Sequence, residues 1–376
     1  MSTDMLQPLQ VTGRMARLRD RLGPAGVDAL VVTTLPNLRY LTGFSGSAGL
    51  LVVTGDAALL TTDGRYRTQA EEQVAAAGAG GLVGLEIGGP QAQRDAIASL
   101  VAGAGRSRVG LEADNVTWAA SQRWTDVLGD HDVLPTSGLV EALREVKDAA
   151  ELELMARAAA IADAALSEVL PLLASAATAT VTEEQFALAL DTAMRRRGAE
   201  GVAFETIVAA GPNSAKPHHR PGGRPIGPGD PVVVDFGALY NGYRSDMTRT
   251  FCVGGEPEGE LARIFDVVRS SQAEGVAAVG PGVGAKDVDE VCRKVIVDAG
   301  WGEAFEHGTG HGVGLDIHEA PTVSPLGTAI LSAGVVVTVE PGVYIPGVGG
   351  VRIEDTLVVT EHGNRPLTSF TKEVAA

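Results

Sequence analysis

The sequence has little cysteine and a shortage of positive charge. Cys252 and Cys292 are the two cysteines among 376 residues, so no framework of disulfides holds the fold. We expect both thiols to be small buried hydrophobic groups, in a protein of the reducing cytoplasm. The 30 basic residues are outnumbered by 47 acidic ones, which gives a net charge of −17. That charge argues against binding to nucleic acid or to an anionic membrane surface.

The sequence also lacks segments that would direct it to a membrane. Its first residues, MSTDMLQPLQ, contain no basic region followed by an apolar run, so we expect no signal peptide. No uncharged apolar stretch is long enough to cross a bilayer. With 376 residues and a hydrophobic content of 45%, the chain is expected to form two domains with well-buried cores.

The order of predicted elements divides the chain near residue 136. Up to that point short apolar strands alternate with helical patterns, which is typical of an α/β domain. From residue 137 onward, helices and runs of antiparallel β-type sequence indicate an α+β domain. A capping box at Thr182 and Gln185 is predicted to open one of these helices. The expected domains are therefore residues 1–136 and 137–376.

The segment VVVDFGALYNGYRSDMTRTF, residues 232–251, predicts a β-hairpin. The Asn-Gly pair at 241–242 lies between two runs of apolar and β-branched residues, which is a strong signal for a two-residue turn. That register places Asp246 opposite Gly237, and Asp235 lies on the same face, two residues from the glycine. Two carboxylates this close repel each other unless a cation lies between them. The hairpin therefore predicts a metal site.

Further segments place polar side chains among glycines or prolines. Most of the histidines fall in KPHHRP and HGTGHGVGLDIHEAP, and carboxylates follow in TVEPGVY and VRIED. Glu340 and Asp235 each end an apolar run that predicts a buried strand, where a carboxylate is seldom unpaired. Together with Asp246, His311 and Glu354 they form an oxygen-rich set with one nitrogen. Such a set suits two Mn²⁺, Co²⁺ or Zn²⁺ ions that share carboxylate bridges.

Taken in order, these five residues resemble the ligands of the pita-bread metallopeptidases, the superfamily of methionine aminopeptidase, aminopeptidase P and prolidase. The segments FGALYNGYRSDMTRTF, GHGVGLDIHEAP and TVEPGVYIPGVGGVRIED are similar to the proline-peptidase branch, as are NLRYLTGFSGS and TDGRYRTQA. The likeness extends from about residue 16 to the end. It implies a creatinase-like N-terminal α/β domain and a C-terminal α+β catalytic domain with the pita-bread fold.

The resemblance also implies a role for each ligand. Asp235 would bind one ion, while Asp246 and Glu354 would bridge both. His311 and Glu340 would each complete the coordination of one ion. A bridging water, its pKa lowered by the two cations, would be the nucleophile. Glu340 would relay its proton toward the leaving proline nitrogen.

Other positions match residues of the family that contact substrate or support the ligands. His218 and His318 would contact the substrate and the developing oxyanion. His307 and Arg352 would hold the ligands and the bound water. Tyr344 would be a pocket residue.

Two positions keep open interpretations. Arg39 is more often a structural or surface arginine, but it could clamp the carboxylate of a short substrate. The histidines of KPHHRP could be a solvated pair in a loop. His218 is favoured over His219 for substrate contact because it directly follows Pro217, as in the family motif.

The chain is therefore expected to be a cytoplasmic dinuclear metallopeptidase that cleaves an N-terminal Xaa-Pro bond. Mn²⁺ is the expected metal, with Co²⁺ or Zn²⁺ as alternatives. The absence of an inserted extra domain favours an Xaa-Pro dipeptidase, acting on dipeptides or short proline-containing peptides, over aminopeptidase P. Relatives also imply a homodimer. A non-catalytic binding module and a metal-free creatinase-like hydrolase are the remaining alternatives, and the complete ligand set counts against both.

Overall fold

The computed structural model describes residues 11–103, 105, 107–176 and 180–373. The chain forms two compact units that divide after Arg144, whereas the sequence predicted a boundary after residue 136. The hydroxyl of Tyr40 donates to the carbonyl of Leu143 at 2.9 Å, and Arg144 Nη1 donates to Asn37 Oδ1 at 2.7 Å. These long-range contacts tie the last residues of the first unit to its core. Sequence periodicity carries no signal for them.

The first unit is an α/β layer, as the alternation of patterns predicted. Its strands are β1 Ala29–Val32, β2 Leu50–Thr54, β3 Ala58–Thr62, β4 Gly84–Ile87, β5 Arg108–Glu112 and β6 Asp132–Thr136. Its helices are α1 Thr12–Leu22, α2 Leu35–Thr42, α3 Arg67–Ala76, α4 Pro90–Gly103, α5 Trp118–Leu128 and α6 Glu141–Arg144, with a 3₁₀ turn at Gly64–Tyr66.

The strands of the first unit form one mixed sheet in the order β4-β3-β2-β1-β5-β6. Strand β1 pairs antiparallel with β2 and parallel with β5. Val31 and Val52 of the sheet are fully buried against Ile97 and Val101 of α4 and Trp124 of α5. One part of the hydrophobic core of this unit therefore lies between the sheet and these two helices.

The second unit is α+β. Its helices are α7 Ala149–Val169, α8 Pro171–Ser175, α9 Glu183–Arg196, α10 Gly259–Ala278 and α11 Ala285–Asp298, with 3₁₀ turns at Gly211–Ala215 and Gly302–Ala304. The predicted capping box of α9 is confirmed. Gln185 N donates to Thr182 Oγ1 at 3.2 Å, and Thr182 N donates to Gln185 Oε1 at 3.1 Å. Both bonds satisfy amide groups that the first turn of a helix leaves unpaired.

One segment, Ala149–Ser175, is long and apolar enough to cross a membrane by length and composition alone. Within the fold, Ala162 and Leu166 of this segment are fully buried and belong to one core cluster with Leu190 of α9. Glu151, near its start, is also buried and accepts a hydrogen bond from the hydroxyl of Tyr243 at 2.9 Å. Packing inside the unit accounts for the apolar composition of this segment.

The strands of the second unit are short and mostly antiparallel. They are β7 Val181–Thr182, β8 Gly201–Val202, β9 Ile207–Ala210, β10 Pro225–Ile226, β11 Pro231–Phe236, β12 Ala238–Tyr240, β13 Tyr243–Arg244, β14 Met247–Cys252, β15 Gly310–Gly312, β16 Glu319–Val323, β17 Val336–Val339, β18 Gly342–Ile345, β19 Gly349–Arg352, β20 Asp355–Thr360 and β21 Gly363–Pro366. They form sheets in the orders β14-β11-β9, β13-β12-β8, β16-β15-β17-β20-β21, β18-β19 and β10-β7. The sequence analysis did not predict β15 and β16, because their glycines and proline break the β-type pattern.

The predicted hairpin is present, and its register is confirmed. Phe236 pairs with Met247 and Leu239 with Arg244, which places Asp246 opposite Gly237. The turn residues at 241–242 have φ angles of 44° and 76°, the left-handed pair of a type I′ turn. A Cβ atom on Gly237 would overlap the backbone of Ser245, so only glycine lets the strands approach this closely.

Strand alternation directs polar side chains away from the helices. Val232 and Val234 of β11 pack in the cluster that contains α7 and α9, so Asp235 faces the opposite side. Val337 and Val339 of β17 pack in the cluster that contains α11, which turns Thr338 to the other side. These opposite faces carry the polar side chains described next.

Candidate active site

The second unit contains a cavity of about 890 Å³. Its lining comes from the β11–β14 hairpin, the loop at 217–221, the segment around β15 and the residue after β17. Asp235, Asp246, His311 and Glu340 all contribute to this lining. Segments that lie far apart in the chain therefore meet at one concave surface.

Three carboxylates lie close together at the edge of this cavity, two of them in its lining. Asp235 lies in β11, Asp246 directly precedes β14, and Glu354 directly precedes β20. One oxygen of each lies within 4.8 Å of an oxygen of the other two. Each of these oxygens can contact a common cation.

His311 and Glu340 complete the group. His311 Nε2 lies 3.5 Å from Asp246 Oδ2 and 3.3 Å from Glu340 Oε1. His311 Nδ1 lies 3.0 Å from the carbonyl oxygen of Gly312, which can only accept, so Nδ1 carries a proton and Nε2 points toward the carboxylates. Thr338 Oγ1 donates to Glu340 Oε1 at 3.0 Å and fixes that carboxylate. The five predicted ligands thus surround one region.

The chemistry of these side chains fits divalent cations. Asp235 Oδ1 and Glu354 Oε1 are buried and have no hydrogen-bond partner among the described residues. Burial, and then the nearby charge of Asp235, raise the pKa of Asp246 well above its usual range. Burial and then Asp246 raise the pKa of Glu354 in the same way. Cations between these groups would remove the repulsion and give the unpaired oxygens a partner.

The His311–Glu340 contact shows where a cation would replace a proton. Burial acts to raise the pKa of Glu340, but the hydrogen bond from His311 and the charges of His311, His307 and Arg352 together outweigh it and lower this pKa to about 2. Burial acts to lower the pKa of His311, but Glu340 and then Asp246 raise it to about 9. The proton shared between His311 and Glu340 sits on Nε2 of His311, the atom that would bind a metal ion.

Arg352 connects the ligands to a buried polar chain. Its guanidinium donates to Asp235 Oδ2 at 2.6 Å, to Thr248 Oγ1 at 3.1 Å and to the hydroxyl of Tyr344 at 2.8 Å. Tyr344 in turn lies 2.9 Å from His307 Nε2. Only 3% of Arg352 is exposed, so its charge acts on Asp235 with little screening by solvent.

The hydrogen-bond geometry fixes which of Tyr344 and His307 carries each proton. Burial raises the pKa of Tyr344 to about 12, so the phenol keeps its proton. Its oxygen accepts from Arg352, and its proton therefore goes to His307 Nε2. Burial lowers the pKa of His307, and its Nδ1 donates to the carbonyl of Gly308 at 2.8 Å. His307 is thus a neutral imidazole that holds Tyr344 in place.

His218 and His318 line the cavity with exposed side chains. The ring of His318 contacts the ring of His311 edge to face, with centroids 4.4 Å apart. Burial, and then the neighbouring His311, lower the pKa of His318. His219 also lines the cavity, but its Nε2 lies 2.8 Å from a carboxylate oxygen of Glu183. Of this adjacent pair, His218 is the one turned toward the open volume.

Two family models match almost the whole chain. Residues 153–361 match the model of metallopeptidase family M24, and residues 14–146 match the creatinase/prolidase N-terminal domain. The chain belongs to metallopeptidase family M24. Members of this family are peptidases that depend on a dinuclear metal centre, and the expected fold class and enzyme class are confirmed.

Individual M24 relatives match over nearly their full length. An uncharacterized peptidase, YqhT, of Bacillus subtilis is 41% identical over 96% of this chain and 99% of its own. The structure of an Xaa-Pro dipeptidase from Bacillus anthracis has a TM-score of 0.91 and 37% identity, and covers 98% of this chain and 100% of its own. The structure of an X-Pro aminopeptidase from Thermotoga maritima has a TM-score of 0.84 and 33% identity, with coverages of 95% and 99%.

One predicted site residue lies elsewhere than the sequence suggested, and a second stays untested. Tyr344 was expected in the pocket, but it is not among the described residues that line the cavity. It is 6% exposed, and its hydroxyl lies between His307 and Arg352, so it supports the wall from behind. Arg39 is half-buried in α2 of the first unit, and its proposed contact with substrate stays a prediction.

The sequence analysis missed two residues that hold the candidate ligands. Thr248 donates to Glu354 Oε2 at 2.8 Å, and Thr338 contacts both Glu340 and the backbone of His311. A signal was present, because Thr248 lies two residues after Asp246 and Thr338 two residues before Glu340. Residues at that spacing share one face of a strand.

Proposed function

We propose that the protein is a metal-dependent Xaa-Pro dipeptidase of the prolidase type. The convergence of five ligand side chains on a cavity, with two buried carboxylate oxygens left unpaired, carries this proposal. The likeness to the Bacillus anthracis Xaa-Pro dipeptidase supports the substrate class.

The ligands would be Asp235, Asp246, His311, Glu340 and Glu354, holding two divalent ions. We propose Mn²⁺, because four of the five side chains supply oxygen, with Co²⁺ or Zn²⁺ as alternatives. When bound, the ions supply Lewis acidity and lower the pKa of a water molecule held between them.

Side chains of the protein would carry out the remaining steps. Glu340 lines the cavity beside His311 and is placed to carry a proton toward the leaving proline nitrogen. His218 and His318 line the cavity, where a ring N–H of each would donate to the substrate carbonyl as it gains negative charge. Arg352, fixed by Tyr344 and through it by His307, holds Asp235 in its ligating position.

The apolar residues of the lining suit proline. The amide nitrogen of an Xaa-Pro bond carries no hydrogen, so a site for it needs apolar surface there rather than an acceptor. Phe204, Pro217 and Ile317 line the cavity together with the histidines. They offer that surface to a pyrrolidine ring, while the polar groups meet the carbonyl.

An exposed arginine favours a dipeptide over a longer peptide. Arg220 and Arg352 are the two arginines that line the cavity among the described residues. The guanidinium of Arg352 is buried and bound to three side chains, while the Arg220 side chain is 84% exposed. Arg220 contacts Glu205 at 3.1 Å, and an exposed pair of this kind is readily exchanged. Arg220 would therefore bind the free carboxylate of a dipeptide.

We further propose a cytoplasmic homodimer that binds neither nucleic acid nor membranes. Cys252 and Cys292 are buried, free thiols, which supports a reducing compartment. The net charge of −17 supports the absence of polyanionic partners.

The direct test is hydrolysis of Ala-Pro and Ala-Pro-Ala by protein from which a chelator has removed metal, with and without added Mn²⁺. Cleavage of Ala-Pro that requires metal supports the dipeptidase. Cleavage of both peptides would move the assignment to aminopeptidase P. If added metal produced no cleavage of either peptide, the proposal would fail in favour of a binding module.

Substitution of Arg220 tests the preference for a free carboxylate. Arg220→Ala is expected to raise the KM for Ala-Pro about tenfold, because a charge-assisted pair is lost, and to leave the KM for Ala-Pro amide unchanged. Glu205→Gln should lower the KM for Ala-Pro, since it frees Arg220. Arg269→Ala removes an exposed, ion-paired arginine of α10 and serves as the matched control. An equal change with peptide and amide would remove Arg220 from the substrate site.

A further inference from the structure

Glu183 is a fully buried carboxylate. It is not one of the five proposed ligands, and it does not belong to the hydrogen-bonded group of Arg352 and Tyr344. It is the first residue of α9, where the partial positive charge of a helix N-terminus favours an anion. Its Oε1 accepts from Ala210 N at 2.8 Å and from Asn213 Nδ2 at 2.9 Å. Its Oε2 lies 2.8 Å from His219 Nε2 and accepts from Gly222 N at 3.2 Å.

These four partners enclose the segment that forms one side of the cavity. Ala210 and Asn213 precede the segment, His219 lies within it, and Gly222 follows it. Because the carboxylate only accepts, His219 Nε2 must donate to it. The His219 side chain is therefore turned toward Glu183 and is only 15% exposed.

The neighbours of His219 face the cavity. His218 and Arg220 both line it and are exposed. The same segment also contacts the ligand scaffold, since Arg352 Nη1 donates to the carbonyl of Pro217 at 3.3 Å. Glu183 thus holds one side of a loop whose other side meets the metal-ligand region and the substrate volume.

We propose that Glu183 is a positioning residue that acts through His219 to hold His218 and Arg220 toward the substrate. This inference rests on the proposed function, which assigns those two side chains to substrate contact. A carboxylate is required because both oxygens accept two hydrogen bonds each. A glutamine offers one accepting oxygen, and its NH₂ group would face two donors.

The test is a double-substitution cycle on the Mn²⁺-loaded full chain with Ala-Pro. Glu183→Gln is expected to lower kcat about tenfold at unchanged metal content, because His218 loses its fixed position. In a His218→Ala background the same change should lower kcat less than about twofold, since the group that Glu183 positions is absent. A full tenfold loss in both backgrounds would mean that Glu183 does not act through His218, and would overturn the proposal.

A second pair of variants separates the contact from general packing. His219→Gln keeps an N–H donor and should retain a kcat within about twofold of the parent. His219→Leu removes the donor and should match Glu183→Gln. Glu168→Gln removes a carboxylate of α7 that pairs with Arg196 on the surface, and is the control. Equal kcat values for His219→Gln and His219→Leu would contradict the role of the bond.

Hydrogen exchange gives a result that does not depend on the substrate. In Glu183→Gln the amide hydrogens of Ala210 and Gly222 should exchange at least about tenfold faster, because their acceptor is weakened. Amides of β17 serve as internal references. Unchanged protection at Ala210 and Gly222 would overturn the positioning role. Absence of Ala-Pro cleavage by the parent protein would instead overturn only the proposed function.

Discussion

Glu354 and Asp355 are adjacent, almost fully buried carboxylates with opposite surroundings. They are 1% and 4% exposed, so burial does not distinguish them. Strand alternation turns their side chains to opposite faces. One face meets the cavity ligands and the other meets helix α10 and the C-terminal segment.

Asp355 is surrounded by donors from the protein. Arg249 Nη2 contacts it at 2.8 Å and Lys372 Nζ at 2.5 Å. Gln272 Nε2 donates at 3.0 Å, and Thr368 Oγ1 does so at the same distance. Burial acts to raise the pKa of Asp355, but Arg249 and then Lys372 outweigh it and lower this pKa. The fold itself neutralises this charge.

Glu354 has only one donor to its side chain among the described residues. Thr248 Oγ1 donates to its Oε2 at 2.8 Å, while Oε1 has no partner. Burial and then Asp246 raise its pKa well above the usual range. Of these two neighbours, the carboxylate that receives no protein cation faces the candidate metal ligands, and the carboxylate that receives two belongs to the structural core.

The largest effect is expected from Glu354→Gln. Loss of this proposed bridging ligand should reduce activity by more than the roughly hundredfold typical of residues that only support ligands. Bound metal per chain should fall as well. The measurements are kcat on Ala-Pro and elemental analysis of the purified protein. Full metal content with parental turnover would remove Glu354 from the ligand set.

Asp355→Asn should act on stability instead. Breaking this buried ion-pair cluster should lower the free energy of unfolding by about 3–5 kcal/mol, while the folded protein keeps its metal. The folded-state pKa of Asp355 is lowered, so its contribution is present above the unfolded value of 3.8 and is lost as pH falls through the folded value. Denaturant unfolding at a series of pH values should show the variant's deficit shrinking below about pH 4.

The smallest effect is expected for Asp246→Asn, which should change the free energy of unfolding in the opposite direction to Asp355→Asn. In chelated protein at neutral pH it should raise the free energy of unfolding by about 1 kcal/mol or more, because it removes a repelled charge. The folded-state pKa of Asp246 is raised, so stability of the parent falls as pH rises above the unfolded value of 3.8.

The advantage of Asp246→Asn should therefore vanish in acid, where the parent carboxyl is protonated. It should also reverse when Mn²⁺ is added, because the parent gains more binding energy than the variant. A destabilised variant in the chelated protein at neutral pH would contradict the electrostatic account of the cavity.

Local sequence was sufficient for the fold class of each unit and for the hairpin that carries Asp235 and Asp246, but not for strands β15 and β16. A type I′ turn at 241–242 and a period of two fix the register between Asp235 and Asp246 without any distant contact. The supporting residues Thr248 and Thr338 were within reach of the same rule. Tyr344 was not, because its role depends on His307 and Arg352, which approach it from other segments.

The sequence by itself determined the two-domain α/β and α+β architecture, the hairpin register and the identity of the ligand candidates. Only the tertiary structure decided which buried carboxylates receive protein cations. Arg249 and Lys372 reach Asp355 from separate segments, and Glu183 closes a loop from a helix N-terminus. Those outcomes depend on long-range packing, and neither residue periodicity nor turn chemistry encodes contacts of that range.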